Sequence, residues 1–580
     1  MGTAGKPYLS FEFADQDGNK SPKTFQNPQQ IITTDTIREV LPCLEQVRSA
    51  VNEGYYAAGF VSYEAAPAFD KAHKVHSESE MPLLWFGIFT EPTNEVIQGN
   101  EFFQTTEWEP SVSAHDYKTN IEKIKQYIEA GDTYQVNYTI RLNAQFTGDS
   151  MACFRQLANA QEADYAAYIN TGEHTIMSAS PELFFRLKNG KVTTRPMKGT
   201  VNRGKTFEKD ALNADWLINS EKNRAENVMI VDLLRNDLGT VAKTGTVTVP
   251  KLFTIEQYPT IYQMTSTVTA ETDKTIVDIF KALFPCGSIT GAPKISTMNI
   301  IHELESAPRN VYCGAIGYIT PNNQAVFNVP IRTVMLNNKT GKAVYGAGGG
   351  ITWDSTADEE YEEVRTKTKV LKTTHTPFKL LETLGIIDGK YIVLGEHLTR
   401  LQQTAAYFDF DVDISVVRKC LLQVARDNNT GCHTVRLLVQ NDGSFSTDVK
   451  RSITEMTLPA TIGLAKEPIN KEDIFLYHKT TNRAVYHYFQ KQHPDKFDVL
   501  LWNKDNELTE FTIGNLVVEF NGNLYTPPVE CGLLPGTFRQ KLLEEEKITE
   551  RKIHLNELKS CTRIWLINSV RQWVEVRLKY

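Results

Sequence analysis

Apolar residues recur at helical spacing after Ser113. Tyr117, Ile121, Ile124 and Ile128 fall on one face, Ser113-x-x-Asp116 has the form of an N-terminal capping box, and Gly131 ends the run. The period then changes to two. From Thr133 to Leu142, Val136, Tyr138, Ile140 and Leu142 point one way while Gln135, Asn137, Thr139 and Arg141 point the other. That alternation predicts a strand whose polar face is either solvated or turned toward a site. Two further helices are predicted over 221–237 and 357–371. On the first, Glu226, Ile230, Leu233 and Asp237 share one stripe; on the second, Glu363 and Lys367 stand one turn apart. Helical and strand signals alternate along the whole chain, which predicts mixed α and β layers, and no period of 20–50 residues suggests a solenoid. Beyond residues 372–377 (KTTHTP) the pattern restarts with Phe378-Lys-Leu-Leu-Glu-Thr-Leu and a hairpin turn at Asp388-Gly389. We therefore divide the chain into residues 1–375 and 376–580, each large enough to be an enzyme.

Composition narrows the class without naming a ligand. The 580 residues are 41% hydrophobic and 23% charged, an ordinary globular balance, and the net charge of 62 − 70 = −8 argues against nucleic acid as the default partner. No 18-residue apolar run is present, so no membrane span is expected. The first residues lack an apolar signal core, and Lys6 stands where a myristoylation pattern wants Ser or Thr. Eight cysteines without a CxxC, and the lack of HExxH, make a reduced cytoplasmic chain without structural metal the simplest expectation.

Several positions carry chemistry with more than one reading. Glu226 on an apolar stripe costs several kcal/mol unless something pairs with it, either Arg224, Arg235 or a bound cation. Glu363 and Lys367 could be an exposed ion pair one turn apart. The run Tyr345-Gly-Ala-Gly-Gly-Gly350 could bring backbone N–H groups to an anion or form a tight turn. Lys198 and Lys479, taken alone, read as surface lysines.

Taken together, six motifs in order resemble the chorismate-utilising enzymes over about residues 50–372. They are Gly131-Asp-Thr-Tyr-Gln-Val-Asn137, Ser180-Pro-Glu182, Asp232-Leu-Leu-Arg-Asn-Asp237, Thr290-Gly-Ala-Pro-Lys294, Ile331-Arg-Thr333 and the glycine run. The resemblance implies an α+β sandwich of antiparallel-rich sheets that binds Mg2+ through Glu226 and Glu363. It also implies that Arg332, Lys367, Tyr345, Gly348, Gly349, Thr290 and Gly291 bind substrate, with Arg332 suited to a carboxylate. Arg195-Pro-Met-Lys-Gly-Thr200 looks like the aminodeoxychorismate synthase form, whose lysine adds to the substrate ring, whereas anthranilate synthases carry Ala in place of Lys198. By the same resemblance Glu182 is the general acid/base. Gln263 is a departure, because anthranilate synthases have His there.

Residues 378–575 resemble the fold type IV pyridoxal-phosphate enzymes, built from two small α/β subdomains. The resemblance rests on Lys479-x-x-Asn482-Arg483, Glu510-Phe-Thr512-Ile-Gly-Asn515, Cys531-Gly-Leu-Leu-Pro-Gly536-Thr537 and Glu396-His-Leu-Thr-Arg400. It implies that Lys479 carries pyridoxal 5'-phosphate, that Glu510 pairs with the pyridinium nitrogen, and that Arg400, Gly536 and Thr537 hold the phosphate with Thr512 and Asn515 nearby. Glu382 and Arg436 fit recurring positions without an assigned role.

The two resemblances imply consecutive steps. Chorismate and ammonia would give 4-amino-4-deoxychorismate, and loss of pyruvate would give 4-aminobenzoate. No Gly-x-Cys-x-Gly elbow surrounds any cysteine, so ammonia is expected from a glutaminase partner. A homodimer through the C-terminal part is expected by the same resemblance. The alternatives are an aminotransferase of the D-amino-acid type in the second half, an anthranilate synthase-like first half, and a non-catalytic subunit that regulates a glutaminase. The last would have lost Glu226, Glu363 or Lys479, and all three stand.

Overall fold

The computed structural model describes residues 6–95, 99, 102–372, 377–451 and 459–579. Residues 373–376, within the expected seam, lie outside this set, as do residues 1–5 at the start. Two compact units emerge: Met1–Asn202 with Ala214–His375, and Arg203–Asn213 with Thr376–Tyr580. The second unit therefore takes in a segment from far upstream. Arg203 explains its placement, pairing with Asp210 at 2.6 Å and lying 4.2 Å from the Tyr407 ring.

The first unit is a sandwich. One sheet runs Gly291–Ala292, Gln135–Gly148, Lys342–Ile351, Thr333–Asn337, His174–Ser180, Tyr165–Asn170, Tyr8–Phe13 and Lys23–Gln26. The other contains Met197–Asn202, Ile261–Glu271, Lys191–Arg195, Leu183–Lys188, Ala325–Asn328 and Ala315–Ile319 in that order. Leu9 and Phe11 of the first sheet share one core with Phe60, Phe185 and Phe327 of the second. The outer face of the first sheet is covered by the helices Ala114–Glu129 and Ala357–Thr368, which pack Tyr117, Ile121, Ile124 and Val364 against Val136, Tyr138 and Ile140.

The alternating strand extends further than its pattern, over Gln135–Gly148, and its polar face is buried rather than solvated. The reason lies far along the chain. The Glu305 carboxylate accepts hydrogen bonds from the Thr139 N–H at 2.9 Å and the Thr139 hydroxyl at 2.8 Å, and pairs with Arg141 at 3.0 Å and Arg309 at 2.6 Å. Two guanidiniums hold that carboxyl below its ordinary range despite its burial. At the helix start, Ser113 accepts from the Asp116 N–H, but its hydroxyl donates to Asp116 in turn, so only half of a capping box forms.

The second unit has two lobes. In one, the antiparallel strands Leu380–Ile387, Cys432–Val439 and Phe445–Arg451 pack on the helices Leu394–Phe408 and Ile414–Asp427. Asp388 and Gly389 have φ of 47° and 74°, the left-handed pair that a tight two-residue hairpin requires. In the other lobe, a mixed sheet joins Leu508–Phe511, Asp498–Trp502, Ala460–Leu464, Gln572–Leu578, Arg563–Asn568 and Asn515–Phe520. Ala460–Leu464 runs parallel to both of its neighbours.

Candidate active sites

Lys198 lies where the ladder of the second sheet breaks. Met197 pairs with Thr265 and Thr200 with Gln263, so one extra residue is accommodated and Lys198–Gly199 forms a bulge. Gly199 has φ +92°, and a Cβ there would come 3.0 Å from Asn223. Burial draws the Lys198 ammonium below its ordinary value, while the carboxylates of Glu226, Glu182 and Glu363 oppose that change. Burial pushes buried Glu182 up to about 7, against the Ser288 hydroxyl, which donates to it at 2.5 Å.

Glu226 rises above the ordinary carboxyl range through burial, with Lys198 the strongest opposing charge. Neither expected arginine pairs with it. Arg235 pairs with Asp232 at 2.7 Å, and Arg224 lies 4.7 Å from the Phe253 ring. Glu363 does form the pair with Lys367, at 2.6 Å, and that cation holds its carboxyl below the ordinary range. Beside it stands Glu360, which sequence reasoning missed; burial and Glu363 push it up to about 7.

The glycine run is neither a loop nor a turn. It lies in the strand Lys342–Ile351, with Gly348, Gly349 and Gly350 opposite Thr139, Tyr138 and Asn137. Its glycines provide clearance. A Cβ on Gly350 would fall 2.9 Å from Lys198 Nζ and 2.6 Å from Gln135 Nε2; one on Gly349 would fall 3.1 Å from Glu360 Oε2 and 3.4 Å from Glu363 Oε1. Gln135 thus faces the lysine, and its buried carboxamide has no hydrogen-bond partner among the described residues. The open question about the polar strand face resolves in both directions, toward a site at Gln135 and toward the Glu305 network at Thr139 and Arg141.

The remaining expected contacts divide. Arg332 has an uncommon φ of +51° and donates to Gln161; among the described residues it has no carboxylate partner. Lys367 Nζ also donates to the Gly348 carbonyl at 2.8 Å. The Tyr345 hydroxyl, however, donates to the Lys367 carbonyl at 3.1 Å, and the Thr290 hydroxyl is spent on the Cys286 and Gly287 carbonyls. Those two hydroxyls shape the wall rather than project from it. Gly291 is required by packing, since a Cβ would meet the Gln135 carbonyl oxygen at 2.0 Å. Among the described residues no three His, Cys, Asp or Glu side chains converge as a metal cage. The Glu226 and Glu363 carboxylates are hard oxygen donors, the kind that hold Mg2+ together with water and substrate oxygens, so the donor chemistry fits that ion.

In the second unit Lys479 lies just beyond a 3-10 turn, Ile474–Leu476, and is not the surface lysine that it reads as when taken alone. Burial, then the guanidiniums of Arg400 and Arg483, draw its ammonium down to about 7. Glu382, left without a role by sequence reasoning, fixes Arg400 through two bonds: Nε to Oε1 at 2.9 Å and Nη2 to Oε2 at 2.6 Å. The His397 ring bridges Glu382 and the Thr537 hydroxyl at 2.7 and 3.2 Å. Gly536 caps the helix Thr537–Glu544, leaving first-turn N–H groups beside this cation. Arg436 is exposed on its strand.

Burial pushes Glu510 up to about 8, opposed by the Tyr486 hydroxyl at 2.7 Å and the Leu534 N–H at 3.1 Å. Thr512 and Asn515 spend side-chain hydrogen bonds on protein partners. The Thr512 hydroxyl donates to Asp498 and accepts from Gln490 at 2.7 Å. Asn515 donates to the Leu534 carbonyl at 2.8 Å and to Glu510 at 3.2 Å. Asn515 Oδ1 also lies against Gly536, where a Cβ would come within 1.8 Å of it, so Asn515 stands beside the expected phosphate residues. A buried amine, a nearby carboxylate and a cation with helix N–H groups fit the aldehyde-, nitrogen- and phosphate-binding needs of pyridoxal phosphate.

Comparison with known proteins accords with the division of chemistry. Residues 93–373 match the chorismate binding enzyme family and residues 379–578 the amino-transferase class IV family. The two matches thus divide the chain between a chorismate binding enzyme model and an amino-transferase class IV model. More particularly, its first half is 41% identical over 290 residues to aminodeoxychorismate synthase component 1 of Klebsiella aerogenes, covering 50% of this chain and 63% of that protein. It is 40% identical over 275 residues to the protein of the same name from Escherichia coli K12, covering 47% and 60%. The chain therefore spans less than two thirds of the relatives it matches. Anthranilate synthase component I from Streptococcus pneumoniae shares its fold with a TM-score of 0.50 at 25% identity, over 64% of this chain and 93% of that one. No helix among the described residues is long and apolar enough to cross a membrane.

Proposed function

We propose that the chain makes 4-aminobenzoate from chorismate in two steps, with Mg2+ assisting the first and pyridoxal phosphate the second. The observation that carries the reading is the Lys198 amine on its bulge, faced by Glu182, Glu226 and Glu363. In the first step, neutral Lys198 adds to the ring while protonated Glu182 gives its proton to the departing hydroxyl, which leaves as water. Ammonia then displaces the lysine to give 4-amino-4-deoxychorismate. Glu226 and Glu363 would hold Mg2+, which supplies positive charge against a substrate carboxylate, and Arg332 would donate to another carboxylate.

In the second step, Lys479 would carry the cofactor and move a substrate proton. Glu510 would face the ring nitrogen, and Arg400, Gly536 and Thr537 the phosphate. Bound pyridoxal phosphate supplies an electron sink. Pyruvate leaves, and the ring becomes aromatic. The relatives named as component 1 support a separate glutaminase as the ammonia source.

The test supplies chorismate, ammonium, Mg2+ and pyridoxal phosphate to the purified chain. We expect 4-aminobenzoate and pyruvate in equal amounts. Anthranilate would overturn the first step, and rapid amino transfer from D-alanine to 2-oxoglutarate without pyruvate release from 4-amino-4-deoxychorismate would overturn the second.

A further inference from the structure

The bulge that carries Lys198 has an unusual clamp. With the register slipped between Met197 and Thr200, the backbone ladder does not secure Gly199. Buried Gln263, directly opposite Thr200, supplies the missing bonds from its side chain. Its Nε2 donates to the Gly199 carbonyl at 2.9 Å, and its Oε1 accepts from the Thr200 hydroxyl at 2.9 Å. A second carboxamide approaches from the helix Glu221–Gly239, where Asn227 donates to the Lys198 carbonyl at 3.4 Å. The Ser266 hydroxyl fixes that amide by donating to its Oδ1 at 2.5 Å. The Lys198 amine has no hydrogen-bond or ion-pair partner of its own among the described residues, so its direction is set through its backbone.

We infer that Gln263 is a positioning residue for Lys198: its carboxamide, bonded to Gly199 and Thr200 across the bulge, aims the lysine amine at the substrate. An amide suits this role because it donates and accepts at once, and no protonation in the working range removes either function. Imidazole at the same position loses its acceptor when it takes a proton. The inference rests on the reading of Lys198 as the nucleophile.

The test uses the full chain and two readouts. One is the steady-state amination of chorismate with ammonium. The other is acylation of Lys198 by an amine-selective reagent across pH, followed by peptide mass spectrometry; it reports the amine's setting whether or not the chain aminates chorismate. The charged groups that bear on this amine are Glu182, Glu226, Glu363 and Lys367.

For Gln263→Leu we expect kcat to fall on the order of 10²-fold, the scale of a misaimed reacting group, with KM for chorismate little changed. We also expect the Lys198 acylation profile to move toward that of exposed lysines. Gln263→His should aminate well only where the imidazole is neutral. A Gln263→Leu protein with both kcat and the acylation profile unchanged would overturn the inference. If that variant does not fold, Thr200→Val decides, because it removes one bond from an exposed position: a smaller loss in the same direction supports the clamp, and none overturns it. A wild-type chain that makes no aminated product sinks the proposed function, while the acylation profiles still judge the clamp.

Discussion

Lys198 and Lys479 are the same residue placed in opposite fields. Burial disfavours the ammonium form of both. Around Lys198 the strongest charges are the carboxylates of Glu226 and Glu182, which oppose that effect. Around Lys479 they are the guanidiniums of Arg400 and Arg483, which reinforce it, and the amine reaches about 7. A lysine ringed by acids is poised for a site that gains positive charge on loading, as from a divalent cation. A lysine ringed by arginines is poised for an anionic guest such as a phosphate. The contrast also qualifies the net charge of −8, since the two anionic substrates of the proposed reading would be drawn in by local cations against the global field.

Removing each amine should break the comparison most severely. Lys479→Ala should abolish the cofactor's near-visible absorption band and leave 4-amino-4-deoxychorismate to accumulate. Lys198→Ala should lower formation of any aminated product on the order of 10³-fold or more, as loss of a nucleophile does. Chromatography of the products checks both, and a Lys198→Ala chain that aminates at the wild-type rate would end the parallel.

The next effect concerns protonation. Glu182→Gln cannot donate a proton and should slow amination about 10²- to 10⁴-fold. In the wild type, activity should fall on the acid side, where the Lys198 amine is charged. It should also fall on the alkaline side, where Glu182, pushed up to about 7 by burial, is ionised. The Ser288 hydroxyl holds the Glu182 pKa down, so Ser288→Ala should raise it and move the alkaline limb to higher pH. A pH–rate profile whose alkaline limb stays in place would remove Glu182 from the acid role.

What the chain's own pattern revealed follows from what is local. The apolar stripe from Tyr117 to Ile124, the left-handed turn at Asp388-Gly389 and the motif residues Lys198, Glu182 and Lys479 could all be read in order. Their partners could not. Ser288 lies 106 positions from Glu182, and Glu305 lies 164 from Arg141; a 3-10 turn and a helix end reach these partners, and contacts over such separations leave no mark on either local sequence. For the same reason the polar face of the strand from Thr133 to Leu142 could be solvated or turned toward a site, and the glycine run could cradle an anion or form a tight turn. Its purpose becomes visible only when Lys198 and the two glutamates of the helix Ala357–Thr368 stand over it. The hydrogen-bond partners of Thr512 and Asn515 were equally hidden, because motif position fixes where a residue sits but not which neighbour takes its hydrogen bonds.

The smallest expected effect tests the second lysine's surroundings. In the proposed role Glu510 would have to be ionised to hold a protonated ring nitrogen, yet burial pushes it up to about 8. Tyr486 opposes that change with a hydrogen bond of 2.7 Å, while the Arg483 guanidinium lies 4.3 Å from the same ring. Tyr486→Phe keeps the ring and its contact with Arg483 but removes the hydroxyl. Loss of one such bond is worth about 0.5–1.5 kcal/mol, or about 2- to 10-fold in affinity. We therefore expect pyridoxal phosphate to bind several-fold more weakly, measured by titrating cofactor-free protein and following absorbance. The weakening should grow as pH falls, because the variant's Glu510 takes up a proton at higher pH than the wild type's. An affinity ratio that stays constant with pH would show that the hydroxyl serves packing alone, and Glu510 would then owe its charge to Leu534, Arg483 and Lys479.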